Sequence, residues 1–179
     1  MRMESSKLWT VQMDTPLGVM TGLIEGNGFI CELGFGEINH PSSPERPPKE
    51  VSTTRLYLGR QLFDYFHGRL RNFNLPLQPQ GSVYQQKIWS LMREVKYGFT
   101  MSYKTLAEAA GDPLGSRAVG AASAANPIMI LIPCHRIIGS DRALVGYRYG
   151  LDKKTKLLQL EGSIPKSQEV LTQPLPGID

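Results

Sequence analysis

An α+β chain of two small domains is the fold class this sequence predicts, and three observations predict it. Short apolar runs separated by turn-forming residues open the chain, a helical repeat follows, and beyond a proline-bearing stretch the periodicity is helical. At 179 residues the chain can form one sizeable domain or two small ones, each with a core of its own.

Leu8–Met13, 17–24 and 28–35 read as strands. Thr15-Pro16-Leu17-Gly18 and Glu25-Gly26-Asn27-Gly28 are turn-forming sequences that would fold these runs into a meander. Residues 37–51, with Pro41, Pro44, Pro47 and Pro48 among serines and charges, read as a surface loop. Over 55–66, Leu58, Leu62, Tyr65 and Phe66 recur at helical spacing, and Gly68 is placed to end the helix. Cys31, His40 and His67 fall in this half without evident partners and are expected to be structural or incidental. Residues 70–80, with Pro76 and Pro79, read as a linker. The expected division is 1–75, 76–162 and a flexible tail over 163–179.

Ser82-Val83-Tyr84-Gln85 has the spacing of a capping box, and Tyr84, Ile88, Leu91, Met92 and Val95 follow at helical intervals, predicting a helix that ends near Lys96. Ser102 can cap a short second helix through Ala110, with Gly111 as its stop. Asp112-Pro113 supplies a capping acid and a first-position proline for a third, ended by Asn126-Pro127. Helix, short glycine-containing turn, helix is the outline of a helix-turn-helix. Between Ser116 and Ala125, Arg117 is the one side chain long enough to reach deep into a duplex, whereas sequence-specific reading calls for several Arg, Asn or Gln. The Ala, Gly and Ser residues around it either permit close backbone approach to a narrow groove or permit tight helix packing. The first alternative predicts non-specific binding through the minor groove, with Arg117 as a wedge.

Charge is uneven. Residues 1–81 carry eight basic and eight acidic side chains, residues 82–162 eleven against six, so the second half fits a polyanionic partner. Met1 to Lys7 hold no apolar signal segment, and no stretch is long enough to span a bilayer. An intracellular location, cytoplasm or nucleus, is the expectation. Two distant cysteines, Cys31 and Cys134, suggest neither a disulfide framework nor a paired metal site.

The chemistry gathers in Ile132-Pro133-Cys134-His135-Arg136, after an apolar run. A thiol reacts as thiolate, and a neighbouring imidazole with positive charge around it is the ordinary way to make one near neutral pH. Cys134 is therefore read as a nucleophile at the exposed end of a strand. The competing reading is a buried cysteine acting as a small hydrophobe.

Ser102-Tyr103, Ser116-Arg117-Ala118-Val119-Gly120, Asn126-Pro127, Ile132-Pro133-Cys134-His135-Arg136 and Gly146-Tyr147 together closely resemble the O6-alkylguanine-DNA alkyltransferases, over about residues 8–162. The resemblance implies a ribonuclease-H-like first domain and a winged-helix-like second domain carrying the helix-turn-helix and active site. It implies that an alkylated guanine is turned out of duplex DNA and that Cys134 takes the alkyl group. Arg117 matches the arginine finger, and Tyr103 the tyrosine that crowds the 3′ phosphate and can protonate the purine. Ser102, Ser116, Ala118 and Gly120 fall in the DNA-binding motifs, and Asn126 matches the asparagine that holds the turn before the active-site strand. His135 would activate the thiol through a bridging water, with Glu161 as its orienting carboxylate. Carbonyls near Cys134 and Ile137 would receive the guanine amine, and Tyr147 and Arg148 would line the pocket.

Where the family often has Gly-Tyr-x-Gly-Gly, this chain has Gly146-Tyr147-Arg148-Tyr149-Gly150, which leaves acceptance of bulky alkyl groups or of O4-alkylthymine open. The first domain lacks the Cys and His set that holds zinc in some relatives, so no metal is expected, and no cofactor. Nothing in the sequence suggests a way to remove an alkyl group from sulfur, so each molecule should act once, as a monomer. A non-catalytic lesion sensor of the same fold, or a cysteine hydrolase, are the competing classes.

Overall fold

The computed structural model describes residues 7–38, 43 and 45–166. His40, Pro41, Pro44 and the tail from 167 onward lie outside the described residues. Among the described residues the fold is mixed, with two small sheets and five α-helices, and it forms two compact units: Met1–Gln80 with Pro127–Met129, and Gly81–Asn126 with Ile130–Asp179.

In the first unit β1 (Leu8–Met13), β2 (Met20–Glu25) and β3 (Ile30–Phe35) form the expected antiparallel meander. Two strands start later than the sequence suggested because the turns consume more chain. Gly18 takes φ 108, with its N–H donating to the Thr15 carbonyl at 3.0 Å. Gly28 takes φ 89, and Asn27 Oδ1 accepts from the Phe29 N–H. α1 (Lys49–Phe66) begins six residues before the expected Arg55, directly after Pro48. Val51 and Thr54 belong to the buried phase of Leu58, Leu62 and Tyr65, a continuation hidden by the prolines around it. Gly68 ends the helix at φ 71 as expected, and His67 is not partnerless, since its Nδ1 lies 2.7 Å from the Phe63 carbonyl.

The stretch expected to be a linker does more than connect. Leu77 bridges to Ile30, with Ile30 N–H donating to the Pro76 carbonyl at 2.9 Å and Gln78 N–H to the Ile30 carbonyl at 2.8 Å. Ile128 bridges to Leu33 on the same strand. These two short pairings occupy an edge of β3 that would otherwise offer unpaired backbone groups. They also carry the first unit to Gln80 instead of 75.

In the second unit the capping box is formed as read, with Ser82 and Gln85 exchanging hydrogen bonds at the start of α2 (Val83–Arg93). Ser102 Oγ accepts from the Thr105 N–H at 3.0 Å and starts α3 (Tyr103–Ala109). α4 (Ser116–Ala124) starts later than expected: Asp112 to Gly115 form a turn, with the Gly115 N–H on the Asp112 carbonyl, and Gly115 is the N-cap. Near the far end of α4, Trp89 Nε1–H donates to the Ala122 carbonyl at 2.7 Å, replacing an intrahelical donor. A two-residue parallel pairing of β4 (Met101–Ser102) with β5 (Ile137–Ile138) sets the start of α3 beside the segment that follows Cys134. α5 (Leu151–Leu160) closes the unit, and Ile164 still packs against Ile138, Leu144 and Leu158, so order persists past the expected start of the tail at 163.

Trp89→Phe keeps an aromatic ring but leaves the Ala122 carbonyl buried without that donor. The expected cost is about 1–3 kcal/mol, read as a lower denaturant midpoint at unchanged slope.

Candidate active site

Cys134 lies at the start of a 3₁₀ turn, Cys134–Arg136, and is 3% exposed, not at the open end of a strand as the sequence suggested. Ile130, four residues upstream, holds φ 70, a strained conformation for a β-branched residue that is kept by burial of its side chain. Asn126, just after α4, donates from Nδ2 to the Ile132 carbonyl at 2.8 Å and to Cys134 Sγ at 3.2 Å. One amide thus shapes the approach to the turn and touches the thiol.

His135 and Arg136 follow, both buried, and both reach Glu161 just past the end of α5. Arg136 is bidentate, with Nε 2.9 Å from Oε2 and Nη2 3.0 Å from Oε1, and its Nη1 donates to the Val95 carbonyl. His135 Nε2 lies 2.8 Å from Glu161 Oε1. Burial alone would raise the Glu161 carboxyl, but the hydrogen bonds and charge of His135 and Arg136 outweigh it and hold it down at about 2. Burial pushes His135 below its ordinary value against the pull of Glu161, so the imidazole rests neutral. Arg136 is then the permanent charge that keeps Glu161 ionised. An ionised carboxylate only accepts, so Nε2 carries the proton and Nδ1 is the basic nitrogen, buried and without a partner.

Burial also raises the Cys134 thiol, opposed by the Asn126 hydrogen bond and by the charges of Lys154 and Arg148. The group rests as a thiol and needs a base when it reacts. Tyr103, half-buried, points its hydroxyl toward the Val145 carbonyl at 3.5 Å and hydrogen-bonds Ser123. Burial, with the charge of Cys134 behind it, lifts that phenol to about 12, so it keeps its proton. Tyr147 has a buried hydroxyl without a partner and is raised well above its usual value, first by burial. Arg148 is exposed.

Asn126 touches Cys134, and Glu161 touches His135, the next residue in the chain, with Tyr103, Ile137, Tyr147 and Arg148 around them. Arg117 and Ala118 are exposed, and Ser102, Ser116 and Gly120 half-exposed, on α3 and α4. Sequence reasoning missed Arg136 as a buried partner of Glu161 and missed Lys154 altogether. A signal existed for the lysine: Lys154 and Glu161 share the helical phase of Leu151, Leu157 and Leu158, while Lys153 and Lys156 do not. Cys31 is a contrasting thiol. Burial and then the charge of Glu25 raise it to about 11, and it donates to the Leu23 carbonyl.

Fold and site together define a class, that of proteins with a buried cysteine next to a histidine–carboxylate pair, beside a helix pair with a small-residue face. The family described as "6-O-methylguanine DNA methyltransferase, DNA binding domain" matches residues 83–163. Methylated-DNA–protein-cysteine methyltransferases of Methanosarcina barkeri and Haemophilus influenzae are 51% and 50% identical over 154 and 155 residues. They cover 83% and 86% of this chain, and 94% and 86% of their own length is matched. The crystal structure of Mycobacterium tuberculosis OGT in complex with DNA superposes with a TM-score of 0.76 at 33% identity, covering 88% of this chain and 93% of that one. The chain belongs to the methylated-DNA–protein-cysteine methyltransferase family.

Among the described residues no group of three His, Cys, Asp or Glu side chains is placed to hold a metal ion, and no helix is long and apolar enough to cross a membrane.

Because the Glu161 carboxyl is depressed from 4.5 to about 2, its contribution to stability is complete above pH 4.5 and is lost as pH falls toward 2. Unfolding midpoints measured across that range should drop more for the native protein than for Glu161→Gln. At neutral pH the same variant should be less stable by about 3–5 kcal/mol, because Arg136 stays buried without its counter-charge.

Proposed function

We propose that this protein repairs alkylated DNA by direct reversal, taking the alkyl group from O6 of guanine onto Cys134. The observation that carries this reading is the buried chain of contacts Asn126–Cys134 and His135–Glu161 inside the segment that matches the family. The bare Nδ1 of His135 is the base, reaching the thiol through a water that its unpartnered lone pair would hold. The thiolate attacks the alkyl carbon, an S–C bond forms, the C–O6 bond breaks, and its electron pair passes into the purine. Tyr103, whose phenol is protonated at rest, donates to the purine as the C–O6 bond breaks and is reprotonated through water by the proton that His135 took from Cys134. The product is a thioether, so each molecule acts once, and the residues named need no cofactor.

The DNA surface we assign is α3 with α4, as a helix-turn-helix in a winged-helix-like second domain. The first unit is assigned a ribonuclease-H-like sheet. Arg117, Ala118, Ala121 and Ala124 are exposed on α4, while Val119, Ala122 and Ser123 face inward. A Cβ at Gly120 would meet nothing within 4 Å, which favours open approach to a groove over close packing as the reason for that glycine. Such a face suits the minor groove without reading sequence. Ser102 and Ser116 lie at the starts of the two helices, beside the phosphates in this reading. Arg117 fills the space the flipped base leaves, Ile137, Tyr147 and Arg148 line the pocket, and a monomer suffices. The relatives named are bacterial and archaeal, which gives the nuclear option no support.

The test is the intact mass of the protein before and after mixing with excess duplex carrying one O6-methylguanine, followed by peptide mapping. One methyl on Cys134, stopping at one equivalent, is expected; tight binding without a mass change would point to a sensor. Cys134→Ala should bind the lesion and accept nothing. Arg117→Ala should slow transfer from duplex by about 10-fold, roughly 1.4 kcal/mol of the base-flipping cost, and leave transfer from the free alkylated base unchanged. Equal losses on both substrates would remove the wedge role.

A further inference from the structure

Tyr97, half-buried in the segment between α2 and β4, has no part in the roles above. Its contacts fall on both sides of one ion pair. The Arg136 guanidinium stands over its ring, with Cζ 5.9 Å from the ring centroid, and its hydroxyl donates to the Leu160 carbonyl at 3.0 Å. Two neighbours in the same segment act on the same pair. The Val95 carbonyl accepts from Arg136 Nη1 at 2.6 Å. Gly98 takes φ 84, and a Cβ there would stand 3.3 Å from the Glu161 carbonyl, so glycine permits both the turn and the close passage of the two chains.

The end of α5 shows what the tyrosine adds. The last carbonyls of a helix lack intrahelical donors. Those of Leu158 and Gln159 are met by the N–H groups of Ser163 and Gly162, which follow directly in the chain. The Leu160 carbonyl is met instead by a hydroxyl 63 residues away in sequence. That carbonyl belongs to the peptide bond joining Leu160 to Glu161, so the hydrogen bond fixes the backbone from which the carboxylate extends. A carboxylate is also least favoured at this end of a helix, where the negative pole of the dipole faces it. An O–H on a terminal carbonyl offsets part of that repulsion.

We propose that Tyr97 is a positioning residue for alkyl transfer: it ties the end of α5 to the segment after α2, holding the Glu161 carboxylate on His135 while its ring seats Arg136. This rests on the reading of His135 as the base for Cys134. The lever is orientation. His135 keeps a bare Nδ1 only while Glu161 Oε1 stays at its 2.8 Å contact with Nε2. A carboxylate that drifts lets the imidazole take its other tautomer, in which Nδ1 carries the proton and cannot act as a base.

The experiment compares wild type, Tyr97→Phe and Tyr97→Leu at a temperature well below their unfolding midpoints. Affinity for an O6-methylguanine duplex is measured in a Cys134→Ala background, and the single-turnover rate of methyl transfer at saturating duplex in the active proteins. The His135 tautomer is read from its ring-nitrogen signals by NMR. Tyr97→Phe keeps the ring and loses one hydrogen bond, so the saturating rate should fall by about 2- to 10-fold. Tyr97→Leu also takes the ring from Arg136 and should lose about 2- to 5-fold more. Lesion affinity should stay at the wild-type value in both, and the His135 signals should move from the single Nε2–H tautomer toward a mixture. A tyrosine that only stabilises the fold would lower the denaturant midpoint and leave rate and tautomer as in wild type; either one unmoved in Tyr97→Phe overturns the proposal. An equal fall in lesion affinity would assign Tyr97 to binding and overturn it as well. If Tyr97→Leu does not fold, Tyr97→Phe decides alone. Should wild type fail to place a methyl on Cys134, the acceptor reading falls, and the tautomer comparison still reports on Tyr97.

Discussion

The carboxylate of Glu161 is the group on which the rest of the site depends. It sits past the end of α5, buried, with both oxygens engaged by Arg136 and one shared with His135. A buried ion pair is weak evidence for stability, since desolvation consumes most of the Coulomb gain. What it does provide is direction. Because the carboxylate is ionised it can only accept, so it fixes the histidine tautomer and leaves a basic Nδ1 beside the turn that carries Cys134. Arg136, of fixed charge, holds the carboxylate in that state.

Two opposing demands meet at the thiol. Burial raises the thiol of Cys134, while the Asn126 amide and the charges of Lys154 and Arg148 pull the other way. Cys31 shows what happens without that opposition. Burial there is reinforced by the charges of Glu25 and Glu32, which its backbone hydrogen bonds do not offset, and the thiol donates to the Leu23 carbonyl. Reactivity here is a property of the surroundings and not of cysteine as a residue type.

In the reading proposed above, α3 and α4 present the DNA surface. α4 turns Val119, Ala122 and Ser123 inward and leaves small residues and Arg117 outside, and Trp89 of α2 satisfies a carbonyl near its far end. The short pairing of β4 with β5 then places Tyr103, the first residue of α3, beside the strand that leaves the active-site turn.

Local chemistry settled a good deal of this in the sequence alone. The meander, the capping box at Ser82, the cap at Ser102, the stop at Asn126 and the motif around Cys134 were all legible, because each depends on residues within a few positions of one another. The first turns of α1 were not, since prolines masked the phase of Val51 and Thr54, nor was the pairing of 76–78 with β3, which links distant segments. Equally beyond reach were the resting protonation of Cys134, the bare nitrogen of His135 and the choice of Lys154 among three nearby lysines as the buried one. Helical phase marked Lys154 and Glu161 as a pair facing inward, but which carbonyls and charges would meet them depends on elements far apart in the chain. Desolvation and partner geometry exist only once those elements pack, and they decide which groups are charged.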